Sequence, residues 1–147
     1  MSIKIYSCND SRGLRPMWTA EEMGLSYKVE MMPFPPRFLY KEYMDVNILG
    51  TIPYLIDGDV EMTESVAMCQ YLVDKYGPTN LSVNKDEADY HYYLNWLAHS
   101  DATLTFPQTV VLRYTLQEIG VADKAADGYR RWFVARLKLL EQTLESR

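Results

Sequence analysis

Hydrophobic and polar positions along the first thirty residues follow a strand–helix–strand order. Ile3–Tyr6 alternates apolar and polar residues with a period of two, which predicts a short strand. Apolar residues then recur at helical spacing from Gly13 onward, with Pro16 in the first turn and Gly24 as the stop signal. Tyr27–Met31 alternates again and predicts a second strand. This order is typical of a βαβ unit, in which the two strands pair in parallel.

Turn signals divide the following stretch into short elements. Three prolines within residues 32–37 remove backbone donors, so we expect no regular structure there, followed by a short helix over Tyr40–Val46. Ile52–Ile56 and Val60–Met62 flank an Asp-Gly pair, which predicts a β-hairpin. Glu64–Tyr76 predicts a helix, because helical spacing continues until a Gly-Pro pair. The residues expected to share one face of this helix are Val66, Cys69, Val73 and Tyr76.

Strand signals fade from Asp86 onward, and helical spacing replaces them. Pro78–Lys85, just before, is polar and rich in turn residues, which predicts a linker. Steps of four and three residues then predict one face of a long helix. The residues on that face are Tyr90, Leu94, Leu97, Asp101 and Leu104. The pattern breaks around Gly120 and resumes over Phe133–Leu144, which predicts a last helix.

The composition limits the class of protein. Of the 147 residues, 48% are apolar and 24% are charged, which excludes a chain kept disordered by its charge. A net charge of −5 and a pI near 5.0 disfavour nucleic acid as a main partner. No apolar run approaches the ~20 residues that span a bilayer and no signal-peptide pattern is present, so we expect no membrane partner. The two cysteines, Cys8 and Cys69, form no disulfide framework, which favours a cytoplasmic protein with reduced thiols.

Four motifs together resemble the cytosolic glutathione transferase superfamily. They are Ser11–Trp18 with Glu21–Leu25, Asn47–Leu55, Asp57–Asp59 with Met62–Ala67, and Tyr71–Gly77. Their order and spacing are similar to those of bacterial-type members with a serine in the N-terminal motif. Ile48 and Thr51 depart from the proline and lysine that the family usually carries at these two positions.

The resemblance implies a fold and a set of partners. It implies a thioredoxin-like α/β domain at residues 1–77 with the element order β-α-β-α-β-β-α, a linker at 78–85 and an all-α domain at 86–147. Family members continue for several further helices, so we expect a fragment whose all-α domain holds the first two helices and is incomplete at its C-terminus. The resemblance also implies glutathione as substrate or cofactor, no metal, and a homodimer.

Glu64 and Ser65 are candidates for the γ-glutamyl end of glutathione. A helix N-terminus offers unpaired N–H groups and the positive end of its dipole, which favour a carboxylate. The Ser65 hydroxyl adds a donor, and the Glu64 carboxylate can pair with the ammonium group. The structural alternative is helix capping by Thr63 or Ser65, with Glu64 favourable near the dipole.

Ile52 and Pro53 are candidates for the middle of the tripeptide. Proline cannot donate to a strand ladder, so Pro53 belongs at the first residue of a strand or at an edge. The family resemblance implies a cis bond here, which presents the backbone of Ile52 to the cysteinyl backbone of glutathione. The alternative is an ordinary trans proline at the start of a strand.

Ser11 is the candidate activator of the glutathione thiol, because it precedes a helix start and carries a hydroxyl donor. A competing candidate is Cys8, since Cys8-Asn9-Asp10-Ser11 is a C-x-x-S arrangement compatible with disulfide exchange. The alternatives are a turn residue for Ser11 and a half-buried inert thiol for Cys8. We expect Cys69 only to pack.

Other polar residues are weaker candidates. Arg12, Arg37 and Lys41 can meet the glycyl carboxylate of glutathione or an anionic substrate, or they are solvated surface charges. We expect Arg15 to be a structural ion-pair partner. The helical part offers a set of pocket or interface candidates, each of which is alternatively a core residue: these are Trp96, Asp101, Thr103, Phe106 and Tyr114.

Asp101 interrupts an otherwise apolar face, and a buried carboxylate requires a partner. We therefore expect it either to reach across a dimer interface to the glutathione ammonium, to face the cleft between domains, or to be a hydrogen-bonded structural residue. His91 and His99 lack partners at metal-ligand spacing, so we predict no metal site.

The expected function is conjugation of the glutathione thiolate to an apolar electrophile, with Ser11 holding the thiolate. Within the enzyme class, the alternatives are a glutathione-dependent isomerase and a thiol–disulfide oxidoreductase that uses Cys8. A further alternative of another class is a non-catalytic binding or interaction module with the same fold.

Overall fold

The structure, a computed structural model, describes residues 2–115 and 122–145. It divides the chain into two compact units, Met1–Val83 and Asn84–Arg147. The N-terminal unit mixes strands and helices, whereas the described part of the C-terminal unit is helical.

The N-terminal unit is a four-stranded mixed sheet with helices. Its elements are β1 (Ile3–Ser7), α1 (Leu14–Glu22), β2 (Tyr27–Met31), α2 (Pro36–Leu39), a 3₁₀ helix (Lys41–Asp45), β3 (Tyr54–Asp57), β4 (Val60–Met62) and α3 (Ser65–Tyr76). The strand order is β2-β1-β3-β4, with β1 and β2 parallel and the other neighbours antiparallel. The predicted thioredoxin-like order of elements is confirmed.

This topology brings two helix starts to one edge of the sheet. Since β3 runs against both β1 and β4, these two strands end at the same edge. The helices that follow them, α1 and α3, therefore begin at that edge, where β3 also starts. The arrangement depends on short connections, because only Thr63 and Glu64 separate β4 from α3.

Two apolar clusters form the core of the N-terminal unit. The first contains buried residues of β1, β3, α1 and α3: Ile3, Ile5, Ala20, Leu55, Met68 and Leu72. The second contains Tyr6, Met32, Tyr43 and Tyr54. Because side chains of a strand alternate between its faces, Ile3 and Ile5 of β1 join one cluster and Tyr6 joins the other.

The buried stripe of α3 differs from the predicted one. Ser65, Met68, Leu72 and Val73 are buried, whereas Val66, Cys69 and Tyr76 are only partly buried. Only Val73 of the predicted face is therefore buried. The polar Ser65 lies on the buried stripe, so apolarity alone did not identify that face.

Residues 32–39 also correct the prediction. A single helical turn, α2, forms over Pro36–Leu39, although no regular structure was expected over residues 32–37. Pro36 is the first helical residue, where a missing N–H costs nothing because that donor has no partner within the helix. The predicted helix over Tyr40–Val46 is the 3₁₀ helix, Lys41–Asp45.

The described part of the C-terminal unit contains three α-helices and a π-helical turn. They are α4 (Tyr90–His99), the π-helical turn (Ser100–Thr105), α5 (Phe106–Thr115) and α6 (Asp123–Glu145). The π-helical turn lies within the single long helix that the spacing predicted, and α6 begins ten residues before the predicted Phe133. The predicted break at Gly120 lies outside the described residues. None of the ten residues of α4 is buried, so its predicted apolar face is not a core face.

No helix within the described ranges combines the length and the apolar character that crossing a membrane requires.

Candidate functional site

The candidate site lies at the sheet edge where α1 and α3 begin. The antiparallel pairs of β1 and β3 end with Tyr6 opposite Tyr54, and Ser7 and Pro53 are the next residues along the two chains. The loop after β1 and the segment before β3 are therefore neighbours at this edge. Three of the four motifs that carried the family resemblance contribute residues here.

The Ser11 hydroxyl is fully engaged by the loop that it belongs to. Its Oγ donates to the backbone carbonyl of Cys8 at 2.9 Å and accepts from the backbone N–H groups of Gly13 at 3.2 Å and Cys8 at 3.4 Å. The Ser7 Oγ lies 3.2 Å from the Ser11 Oγ. A hydroxyl has one proton and two lone pairs, so these bonds account for the whole capacity of Ser11.

Ser7 is a site residue that sequence reasoning missed. Its side chain is completely buried, and it lies on the same face of β1 as Ile3 and Ile5. The signal available in the sequence was this polar residue at the apolar phase of the strand, directly before the loop.

The surroundings of the Cys8 thiol raise its pKa. Burial raises the pKa of Cys8, and the neighbouring Asp10 carboxylate raises it further, while a hydrogen bond with Ser11 opposes both effects. Asp10 has a φ of +56°, a conformation that aspartate tolerates better than most residues, and it closes the turn between Cys8 and Ser11. A reactive cysteine needs the thiolate form, so this environment disfavours Cys8 as a nucleophile.

The segment before β3 is shaped by Asn47, which is buried. Its Nδ2 donates to the Thr51 carbonyl at 3.0 Å, and its Oδ1 accepts from the Leu49 N–H at 3.1 Å. The Tyr43 hydroxyl donates to the same Thr51 carbonyl at 2.8 Å. These bonds fix the backbone directly ahead of Ile52.

The Ile52–Pro53 bond is cis, as the family resemblance implied. The pairs of the β1–β3 ladder run from Lys4 with Ile56 to Tyr6 with Tyr54, so Ile52 lies ahead of the paired residues. Its backbone is therefore positioned at the open end of the ladder, beside the loop after β1.

The start of α3 carries Ser65, which is buried, and Glu64, which is exposed. The Arg15 Nη1 donates to the Ser65 Oγ at 3.1 Å, so the Ser65 hydroxyl links α3 to α1. Among the described hydrogen bonds, the Glu64 side chain makes none that caps α3. The expected ion pair of Arg15 and the alternative of capping by Thr63 or Ser65 stay predictions.

The candidate cations lie on the surface of the N-terminal unit. Arg12, Arg37 and Lys41 are exposed, and the Arg37 guanidinium lies 4.7 Å from the centre of the Phe38 ring. Among the described residues, no group of three His, Cys, Asp or Glu side chains has the arrangement of a metal site.

The candidates in the C-terminal unit occupy one continuous helical stretch. Trp96 is half-buried on α4, with its ring edge-on to His99 at 5.3 Å. Asp101 and Thr103 are half-buried in the π-helical turn, and Tyr114 is half-buried on α5. Phe106 is exposed at the start of α5 and contacts the Tyr129 ring of α6 edge-on at 6.1 Å. Their roles stay predictions.

The fold and the edge site define a class of protein with a thioredoxin-like domain followed by helices. Residues 1–74 match the family described as "Glutathione S-transferase, N-terminal domain". The chain therefore belongs to the cytosolic glutathione transferase superfamily.

Individual relatives are similar over different shares of their length. Glutathione S-transferase 3 of Schizosaccharomyces pombe is 29% identical over 102 residues, which are 69% of this chain and 42% of that protein. The crystal structure of glutathione transferase URE2P6 from Phanerochaete chrysosporium, in complex with oxidized glutathione, is 27% identical with a TM-score of 0.84. The match covers 99% of this chain and 69% of that one.

A third similar structure is the nitrogen regulation fragment of the yeast prion protein Ure2p. It is 22% identical with a TM-score of 0.83, covering 99% of this chain and 68% of that one, and this likeness concerns the fold alone. The matched part of the chain covers less than half the length of these curated relatives.

Proposed function

We propose that this edge binds glutathione and that the whole protein conjugates the glutathione thiolate to an apolar electrophile. The observation that carries the proposal is the Arg15–Ser65 hydrogen bond of 3.1 Å. It joins the starts of α1 and α3, so the Ser11 loop and the first turn of α3 lie at one site. The glutathione in the URE2P6 complex supports the same ligand class.

The γ-glutamyl group of glutathione carries a carboxylate and an ammonium on one carbon. The carboxylate fits the first turn of α3, where helix N–H groups, the Ser65 hydroxyl and the Arg15 guanidinium converge. The exposed Glu64 carboxylate is adjacent and fits the ammonium. The cysteinyl backbone then lies along Ile52, and Arg12 or Lys41 meets the glycyl carboxylate.

Ser11 stabilises the thiolate in this proposal. A free thiol with a pKa of ~8.5 is about 3% ionised at pH 7, and lowering that pKa by ~2 units requires ~2.7 kcal/mol. A hydrogen bond to a charged group contributes ~1.5–3 kcal/mol, so one hydroxyl at the start of α1 suffices. The hydroxyl must rotate, because its proton is donated to the Cys8 carbonyl in the free protein.

The test is conjugation of glutathione to a generic aryl halide. Ser11→Ala is expected to lower kcat/KM by about 10–100-fold, the loss of one charged hydrogen bond, while glutathione affinity changes little. Cys8→Ser is expected to retain the rate, and Ser26→Ala, at an exposed turn position, is the matched control. An unchanged rate in Ser11→Ala would remove Ser11 from the mechanism.

A second candidate is a non-catalytic glutathione-binding module. The observation that favours it is the engaged proton of Ser11, which has no free donor for a sulfur until it rotates. Uptake of glutathione without measurable conjugation would support this candidate. A thiol–disulfide oxidoreductase that uses Cys8 is disfavoured, because burial raises the pKa of that thiol.

The remaining parts of the proposal concern the whole protein. The electrophile lies against Trp96, Thr103 and Phe106, and Asp101 contributes to the same pocket or to a homodimer interface. Light scattering of the purified chain tests the dimer. Cys8 and Cys69 are both free, which supports a reducing compartment such as the cytoplasm.

A further inference from the structure

The buried hydroxyl of Ser7 lies beside two polar groups of the proposed site. Its Oγ is 3.2 Å from the Ser11 Oγ and donates to the Cys8 carbonyl at 3.4 Å. The same carbonyl accepts the Ser11 proton at 2.9 Å. The three groups therefore form a triangle in which one carbonyl has a short bond from Ser11 and a long bond from Ser7.

Gly13 makes room for this triangle. A Cβ at position 13 would lie 2.1 Å from the Ser7 Oγ and 3.1 Å from the Ser11 Oγ. Since Ser7 is completely buried, its hydroxyl has no access to solvent and must find its partners within the loop.

Ser11 has only one proton to donate. If that proton turns from the Cys8 carbonyl to a glutathione thiolate, the carbonyl loses its short bond. Cys8 is itself buried, so an unsatisfied carbonyl there opposes the rotation. A second donor within reach removes this penalty, and Ser7 is that donor.

We infer that Ser7 is a positioning residue for thiolate stabilisation, because its hydroxyl takes over the Cys8 carbonyl when Ser11 donates to the glutathione sulfur. The inference rests on the proposed function, in which Ser11 holds the thiolate. Ser7 itself touches neither glutathione nor the electrophile. No proton is transferred in this step, since only Ser11 changes the atom to which it donates, while Ser7 continues to donate to the Cys8 carbonyl.

The test measures the pKa of the bound glutathione thiol from its ultraviolet thiolate absorbance as a function of pH. Ser7→Ala is expected to raise this pKa by about one unit, a tenfold fall in the ratio of thiolate to thiol, with little change in the dissociation constant for glutathione. Ser7→Cys is close to serine in shape but is a weak donor, so it is expected to shift the pKa in the same direction. A shift shared by both variants shows that the effect does not come from misfolding of Ser7→Ala. Ser26→Ala is the control and leaves the value unchanged.

A double-mutant cycle separates positioning from a general effect on the fold. In a Ser11→Ala background the Ser7→Ala change is expected to have no further effect on the thiol pKa, because Ser7 acts through Ser11. A normal thiol pKa in wild type, or no glutathione uptake, would refute the proposed function and this inference with it. A lowered wild-type pKa that Ser11→Ala abolishes and Ser7→Ala leaves intact would overturn only the role of Ser7.

Discussion

Gly13 lies where the candidate site leaves no room for a side chain. An added Cβ would lie 2.1 Å from the Ser7 Oγ and 2.8 Å from the Ser7 Cβ. Gly13→Ala is therefore expected to displace the loop after β1, to lower the free energy of unfolding by about 1–3 kcal/mol and to weaken glutathione binding. Urea unfolding and calorimetry measure the two effects.

Gly128→Ala is the matched control, because a Cβ at that position on α6 has nothing within 4 Å. It is expected to leave the chain as stable or to stabilise it by up to ~1 kcal/mol through helix propensity. Equal effects of the two substitutions would contradict the close packing at Gly13.

Residue identities at the site were predictable where a helix start or a family motif marked them. Glu64, Ser65 and Ser11 were named for their places at predicted helix starts and Ile52 for the family resemblance, and all four stay predictions of function. The engagement of Ser11 by the Cys8 carbonyl was not predictable, because it depends on the φ of +56° at Asp10, which turns the loop back on itself. Sequence spacing carries no such three-dimensional information.

Asp57 connects the end of β3 to the last turns of α3. Its buried carboxylate Oδ2 accepts from the Tyr71 hydroxyl at 2.8 Å, the Tyr76 hydroxyl at 2.6 Å and the Lys75 Nζ at 2.7 Å. Burial alone would raise the pKa of Asp57, but the three donors together lower it below 3.8. The carboxylate is thus stabilised in its charged form.

A lowered pKa in the folded state gives stability that is present above the unfolded value and lost as pH falls through the folded one. Asp57→Asn is expected to cost about 1–3 kcal/mol of unfolding free energy at pH 7, because three donors lose a charged acceptor. The difference from wild type is expected to begin to shrink below about pH 4, where the carboxyl of the unfolded chain takes up its proton, and to be lost as the pH falls through the lower pKa of the folded carboxyl. Urea unfolding across this pH range measures both quantities.

Asp59→Asn is the control for this pH dependence, since Asp59 is an exposed carboxylate in the adjacent turn. It is expected to change the unfolding free energy by less than ~0.5 kcal/mol. A difference between Asp57→Asn and wild type that stays constant from pH 7 to pH 3 would contradict a stabilising charge at Asp57.

Elements were predictable where turn residues or strict periodicity mark them. The strand Tyr27–Met31 and the stop of α1 before Gly24, which has a φ of +64°, agree with the structure. The π-helical turn at Ser100–Thr105 was not predictable, because helical spacing of side chains does not reveal a change of one residue in the hydrogen-bond step. The π-helical turn is defined by its backbone hydrogen bonds and not by the hydrophobic pattern of its side chains.

An exposed segment without helix or strand connects the two units of the chain. Residues 77–89, between α3 and α4, contain no helix or strand and are mostly exposed. Limited trypsin digestion is expected to cut first after Lys85, which is exposed in this segment. Mass spectrometry of early products identifies the site, and a first cut within 3–76 would contradict the integrity of the N-terminal unit.

Calorimetry with reduced glutathione shows whether the sheet edge between α1 and α3 binds this ligand. Saturable binding is expected for wild type and for Glu145→Gln, an exposed control on α6. Binding to Glu64→Gln is expected to be about 10–100-fold weaker, the loss of one charged hydrogen bond. Absence of binding at millimolar glutathione, or an unchanged affinity in Glu64→Gln, would contradict glutathione binding at this edge.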